Sequence, residues 1–297
     1  MRVLVLGSDG FFGRNIVAAL AGSHEVIKGT RRPDVSEGQH YIELSKPDNI
    51  VAALNELQPD AIVNNAGVVE NSDKALMNPV MTTNLLEAVV KIGLQPKRII
   101  IYGSAAEYGI VTEKDIPVKE DTPLNPFTTY GKSKVQETAA SLKFRKVYNL
   151  PVTIARIFNP IGVGMGPRFL ISGVLRQFHG IKAGTREAIE VSRLDAKRDY
   201  CHILDAAQAV KLLIEGQPKE AIYNISSGVS TSNGEIIELI LAYSKLEQRP
   251  DIIETAPEPE PLLATQADIS RIREEFGWET KRSVEETVQE IIDAEKQ

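Results

Sequence analysis

Val3-Leu4-Val5-Leu6-Gly7-Ser8-Asp9-Gly10-Phe11-Phe12-Gly13 is the stretch on which the reading of this chain turns. Four consecutive apolar residues suit a strand that is buried on both faces. The glycines that follow, Gly7, Gly10 and Gly13, recur at a spacing of three and three. Glycine lets a strand turn tightly into a helix, and it lets a pyrophosphate approach the backbone at the helix N-terminus. Gly7, Gly10, Phe11, Phe12 and Gly13 are therefore the candidate phosphate cradle.

Outward from that turn, apolar strand-like runs alternate with helical segments. A helix is expected over Arg14–Ala21, then strands at Glu25–Lys28 and Tyr41–Leu44, with Asp48 capping a helix that runs through Leu57. Ala61–Asn64 reads as strand, Lys74–Ile92 as a long helix, and Arg98–Tyr102 as strand. The polar segment Ile110–Phe127, with Pro117, Pro123 and Pro126, is longer than a routine loop. Helix Thr129–Tyr148 and strand Val152–Phe158 follow.

The alternation calls for an α/β fold, a doubly wound parallel sheet of Rossmann type. Beyond Asn159 the pattern loosens. A Gly- and Pro-rich stretch, Pro160–Pro167, precedes helix Phe169–Ala183, and Asp205–Glu215 with Ala221–Ile225 forms one more helix–strand unit. Helices near Asn233–Ser244, Asp268–Phe276 and Ser283–Glu295 close the chain. The expected division is a dinucleotide-binding unit over 1–158, to which 199–226 returns. A smaller, mostly helical C-terminal substrate lobe takes 159–198 and 227–297.

The 297 residues suit one large domain, or a domain with a smaller lobe. A net charge of −6 disfavours sequence-independent binding to nucleic acid or an anionic membrane. The single cysteine, Cys201, forms no internal disulfide, and no metal-ligand cluster accompanies it. The chain begins directly on a strand and has no apolar run near the ~18 residues of a membrane helix. A cytoplasmic protein is expected.

Two further patterns carry chemistry. At the end of the second strand stands Gly29-Thr30-Arg31-Arg32, with no acid to accept from a ribose 2′-hydroxyl. Two guanidiniums suit a 2′-phosphate, so Thr30, Arg31 and Arg32 point to NADPH (NADP) over NAD. In Tyr130-Gly131-Lys132-Ser133-Lys134 a phenol and an ammonium lie four residues apart, on one helix face. The ammonium favours the phenolate, which makes the tyrosine a usable acid–base near neutrality.

With these motifs in place, the chain resembles the extended short-chain dehydrogenase/reductases, the NAD-dependent epimerase/dehydratase group that acts on sugar nucleotides. The resemblance rests on the glycine turn, Tyr102-Gly103-Ser104-Ala105-Ala106-Glu107-Tyr108-Gly109, Pro123-Leu124-Asn125-Pro126, the Tyr130/Lys134 pair and Arg156-Ile157-Phe158-Asn159-Pro160. Asn64-Asn65-Ala66-Gly67 fits the group's cofactor-side turn, so Asn65, Ala66 and Gly67 join the cofactor set. The resemblance implies that Ser104 hydrogen-bonds the substrate oxygen and Tyr130 donates the proton. It also implies that Lys134 holds the nicotinamide ribose, so Tyr130 and Lys134 belong to the cofactor site too. The long helices Lys74–Ile92 and Thr129–Tyr148 are where members of this superfamily pair, which makes a homodimer the expected assembly.

Departures from the group's pattern narrow the reaction. Its dehydratases carry an acid one or two positions after the catalytic hydroxyl, where this chain has Ala105 and Ala106; Glu107 is read as structural or secondary. Cys201 and His179 do not fall where a proton-transfer pair for C3 and C5 epimerisation would. Asn159 through Phe169, Ile189-Glu190-Val191, Leu194 through Tyr200 and Tyr223 through Gly228 resemble the reductases of GDP-4-keto-6-deoxy-D-mannose. Asn159, Arg168 and Arg198 are the substrate-side candidates, with the arginines facing a pyrophosphate. Glu260, within Pro257-Glu258-Pro259-Glu260-Pro261, stands for an acid that this group pairs with an arginine absent here. The expected activity is reduction of the C4 keto group of a nucleotide-linked 4-keto-6-deoxy sugar. The alternatives are a nucleotide-sugar 4-epimerase that retains NAD and a non-catalytic NADP-sensing regulator.

Overall fold

The computed structural model describes residues 1–244, 248–255 and 265–295. Its first half runs β1 (Arg2–Leu6), α1 (Phe11–Leu20), β2 (Glu25–Thr30), β3 (Gln39–Tyr41), α2 (Pro47–Leu57), β4 (Ala61–Asn64) and α3 (Met77–Lys91). It continues through β5 (Arg98–Ser104), α4 (Thr129–Tyr148), β6 (Val152–Ile157), β7 (Pro160–Ile161), α5 (Leu170–Lys182) and β8 (Ala188–Val191). The remainder is β9 (Lys197–Asp199), β10 (Cys201–His202), α6 (Ile203–Glu215), β11 (Ile222–Ile225), β12 (Ser230–Ser232), α7 (Asn233–Ser244), β13 (Asp251–Glu254), α8 (Ser270–Phe276) and α9 (Val284–Ala294).

Seven strands form one sheet in the order β11-β6-β5-β4-β1-β2-β3, and all its neighbours pair in parallel. The doubly wound sheet expected from the apolar runs is what forms. Strand order reverses between β1 and β4, which opens a crevice at the carboxyl ends of the strands. Helices cover both faces. Phe12, Ile16 and Leu20 of α1 pack with Val210 and Leu213 of α6 on one face. Leu54 of α2, Leu85 and Val89 of α3, and Phe144 of α4 cover the other. Strands buried on both sides explain why β4 reads Ala-Ile-Val-Asn rather than alternating. The C-terminal part has its own core, in which Ile171 and Val174 of α5, Ile236 and Ile240 of α7, and Val288 and Ile291 of α9 meet. Among the described residues no helix is long and apolar enough to cross a membrane.

Several boundaries differ from the sequence expectation. Helix α1 starts at Phe11 rather than Arg14, because Gly10 is its extended N-cap and Gly13 lies within its first turn. The third strand is Gln39–Tyr41, earlier than Tyr41–Leu44. Asp48 does not cap α2: Lys46 is the N-cap, Pro47 opens the helix and Asp48 sits inside the first turn. There its charge still favours the helix N-terminus. The segment from Lys74 is a 3-10 turn over Asp73–Leu76 before α3 begins.

Candidate active site

The glycine turn joins β1 to α1 at the crevice. Gly7 has φ +73°, and a Cβ there would stand 3.0 Å from the Ala66 backbone. A Cβ on Gly13 would lie 2.0 Å from the Gly7 carbonyl oxygen. The turn therefore requires glycine at both ends. Arg14 N–H closes the first helical bond on the Gly10 carbonyl, so the amides of Phe11, Phe12 and Gly13 precede the ladder. No side chain caps them and no acid occupies the first turn. An uncapped helix N-terminus beneath a side-chain-free cradle fits a dinucleotide pyrophosphate. The Phe12 ring itself belongs to the core, edge-on to Tyr102 at 4.5 Å, so only its backbone N–H remains to serve a ligand there.

Beside the turn is a cleft of about 290 Å³, lined by Gly7, Gly10, Thr30, Arg31, Arg32, Asn65, Ala66 and Gly67 among others. The structure thus brings together cofactor candidates from β1, β2 and β4. Asn64 and Asn78 shape its floor. Asn64 Oδ1 accepts from Ala66 N–H at 3.2 Å. Asn78 clamps the Val68 backbone through both its N–H, at 2.7 Å, and its carbonyl, at 2.9 Å. The end of β2 carries no acid of its own, as expected, but another element brings one there. Asp9 reaches over from the glycine turn, and its carboxylate accepts from Thr30 Oγ1 at 2.6 Å. The signal was in the quoted stretch, but only the β1–β2 pairing places Asp9 beside Thr30.

Helix α4, which carries Tyr130 and Lys134, docks by its N-terminus on the turn after β5, where Ser104 ends the strand. The contact is Gly131 against Ala106: a Cβ on Gly131 would lie 2.5 Å from the Ala106 carbonyl oxygen. Ser104 Oγ accepts from Ala106 N–H at 3.2 Å, which leaves its proton for another acceptor. Lys134 is 6% exposed, and Nζ donates to Glu137 Oε2 at 2.5 Å and to the Tyr102 carbonyl. One of its three N–H donors remains. Burial pulls the Lys134 ammonium down, but Glu137 and Tyr130 outweigh it and hold its pKa above the usual value. The ammonium therefore stays charged.

A buried polar chain that sequence reasoning missed holds this lysine. Asn64 Nδ2 donates to Thr82 Oγ1 at 2.8 Å, and Thr82 Oγ1 donates to Glu137 Oε1 at 2.6 Å. Glu137 is thus pinned from β4 and α3 before it pairs with Lys134. Glu107 is structural, as expected. It is 0% exposed, Oε1 accepts from Ser104 N–H at 2.8 Å, and Oε2 pairs with Arg156 Nη2 at 2.9 Å. Arg156 Nη1 donates onward to Tyr108 OH at 2.8 Å.

The substrate-side candidates are spread along the chain after β6. Asn159, at φ +21°, donates from Nδ2 to the Asp199 carbonyl at 2.8 Å. Arg198 is half-buried, and burial lowers its pKa. Arg168 is exposed over the Phe169 ring at 5.6 Å. Glu260 lies outside the described residues. Cys201 is buried in the core, which pushes its thiol up, and His179 pairs with Glu295 at 2.8 Å.

The family described as NAD dependent epimerase/dehydratase matches residues 3–226. GDP-6-deoxy-D-mannose reductase of Pseudomonas aeruginosa is 26% identical over 98% of this chain and 96% of its own length. dTDP-6-deoxy-L-talose 4-dehydrogenase (NAD(P)(+)) of Kitasatospora kifunensis is 28% identical over 99% of this chain and 95% of its own. The solved structure of RMD from Pseudomonas aeruginosa complexed with NADPH superposes with a TM-score of 0.85 at 26% identity, covering 98% of this chain and 97% of that one. UDP-glucose 4-epimerase of Thermus thermophilus, complexed with NAD, shares the fold at a TM-score of 0.85 and 22% identity, over 99% of this chain and 98% of that one.

Proposed function

The chain belongs to the NAD dependent epimerase/dehydratase family, and from that premise we propose that it is a reductase of a nucleotide-linked 4-keto-6-deoxy sugar. NADPH is its preferred cofactor, and GDP-4-keto-6-deoxymannose is the first substrate to test. The observation that carries this reading is the docking of α4, with Tyr130 and the charged Lys134, on the turn of Ser104, whose next two positions are Ala105 and Ala106. The nicotinamide, when bound, supplies the hydride that goes to sugar C4.

Ser104 directs its hydroxyl proton toward the substrate oxygen, since Oγ already accepts from Ala106 N–H. Tyr130 gives its proton to the oxygen as negative charge develops there, and the Lys134 ammonium stabilises the phenolate left behind. Both carboxylate oxygens of Glu107 are occupied, by Ser104 N–H and Arg156. Ala105 and Ala106 offer nothing in its place, which argues against dehydration. Arg31 and Arg32 in the cofactor cleft support NADPH, and the Pseudomonas relative solved with NADPH agrees with that choice. Arg198 and Arg168 serve the substrate pyrophosphate.

Loss of NADPH absorbance on mixing the protein with freshly made 4-keto-6-deoxy sugar nucleotides, GDP-linked first, tests the reading. Consumption with one of them supports it. Absence of consumption, with NAD retained through purification and interconversion of C4 epimers, would replace it by a 4-epimerase. Binding of NADPH without any turnover would replace it by a sensor.

A further inference from the structure

The cofactor cleft carries a carboxylate whose position the sequence does not announce. Asp9 is the third residue of the glycine turn, yet both of its oxygens are engaged at the end of β2. Oδ2 accepts from Thr30 Oγ1 at 2.6 Å and Oδ1 from Gln39 Nε2 at 2.6 Å. Thr30 is buried, and its hydroxyl also accepts from Arg32 N–H at 3.2 Å, so the carboxylate is fastened to the turn that bears Arg31 and Arg32. Asp9 lines the same cleft as the two arginines. Glu43, the other acid lining it, turns Oε1 to the backbone N–H and hydroxyl of Ser45, at 3.2 and 2.9 Å, and neither bond joins it to the turn of Arg31 and Arg32.

An ionised carboxylate offers about four lone-pair sites. Asp9 spends two of them on Thr30 and Gln39, which leaves acceptors for a ribose diol. One cleft therefore combines two devices that ordinarily stand as alternatives: an acid for a free 2′-hydroxyl and guanidiniums for a 2′-phosphate. We infer that Asp9 sets cofactor specificity by opposing Arg31 and Arg32, so that the protein binds NAD as well as NADP, with only a modest preference for the phosphorylated form. The inference rests on reading this cleft as the dinucleotide site.

The opposition has a signature that a structural role lacks. The Asp9 charge repels a 2′-phosphate and accepts hydrogen bonds from a 2′-hydroxyl. Removing the charge must then tighten NADP and loosen NAD. A residue that only braced the turn would, when replaced, weaken both alike.

Calorimetric titration of the full chain with NADP and NAD, and with the fragments 2′,5′-ADP and 5′-AMP, reads this without any substrate. In the wild type both dinucleotides should bind, NADP the tighter by less than about tenfold. Asp9→Asn keeps the shape and one acceptor, and should raise the NADP-to-NAD affinity ratio about tenfold, with the two affinities moving in opposite directions. The fragments should follow the same order. Joint replacement of Arg31 and Arg32 by Ala should reverse the preference. An unchanged ratio in Asp9→Asn, or equal weakening of both cofactors, overturns the inference while leaving the reductase reading intact. Failure of the wild type to bind either dinucleotide overturns both.

Discussion

At Tyr130 the proposed chemistry depends on one oxygen atom. Tyr130→Phe removes the proton donor but keeps the ring, so turnover should fall by about 10²–10⁴-fold while NADPH affinity stays within about twofold. Steady-state kinetics and calorimetry on the same preparation check both halves, and near-normal turnover would exclude the role. Lys134 needs Glu137 in a different way. Its ammonium is buried, and Glu137 is the carboxylate hydrogen-bonded to it. Glu137→Ala should cost about 3–5 kcal/mol, because it strands a buried charge. Thermal unfolding reads that loss, and Glu137→Gln, whose carbonyl can still accept from Lys134 while its amide donates to Thr82 Oγ1 in place of the present bond, should recover part of it. The sequence pattern showed Tyr130 and Lys134 as a pair on one helix face. It did not show Glu137, since its partners Thr82 and Asn64 come from other elements.

At the scale of elements, the contact between α4 and the turn after β5 decides whether the site exists. Gly131→Ala would drive a methyl into the Ala106 carbonyl, at 2.5 Å. The expected cost is about 1–3 kcal/mol of stability, with a larger proportional loss of turnover as Tyr130 moves from Ser104. Comparing the melting temperature with kcat for the one variant tests that order.

Helix α9 gives a pH-dependent counterpart away from the site. Ser283 and Glu286 form a reciprocal cap, with Ser283 N–H donating to Glu286 Oε2 at 2.8 Å. That backbone hydrogen bond lowers the Glu286 pKa from 4.5. The lowered acid stabilises the fold fully above its unfolded value, and the contribution is lost as pH falls through the lower folded value. Melts of Glu286→Gln should therefore show less acid destabilisation than the wild type, and the two should differ most near neutrality.

At the scale of the molecule, Asp199 fastens the segments that follow the sheet. Its carboxylate is 0% exposed and accepts from Ser226 Oγ, from the N–H and Oγ of Ser227, and from the N–H groups of Gly228 and Ala267, all within 3.0 Å. Asp199→Ala leaves the buried Ala267 N–H without a partner, at about 1–3 kcal/mol, strips the part-buried N–H groups of Ser227 and Gly228 as well, and should lower the melting temperature markedly. The adjacent Arg198 should lose its place at the same time, so any substrate affinity it contributes should fall too. The proposed dimer belongs to this scale as well. Of the apolar residues in Lys74–Ile92, Leu85 and Val89 are buried in the core, while Leu76 and Val80 are exposed. Light scattering should give twice the mass of one chain, and Val80→Glu should shift it toward the monomer.

The alternation of apolar runs with helical segments determined the doubly wound sheet, because strands buried on both faces are predominantly apolar. The glycine spacing determined where the tight turn proposed as the phosphate cradle forms, because no other residue clears the Gly7 carbonyl and the Ala66 backbone. Local pattern likewise fixed the Tyr130/Lys134 pair, since four residues is one helical turn. The tertiary structure alone decided what those groups face. Strand pairing carried Asp9 to Thr30, a charge no local rule places at the end of β2. Packing of β4, α3 and α4 supplied Glu137 beneath Lys134 through Asn64 and Thr82. Burial against Arg156 supplied the partner that makes Glu107, read from the sequence as structural or secondary, a strut. In each case the deciding partner is distant in sequence, and only the fold brings its charge or hydrogen bond within reach.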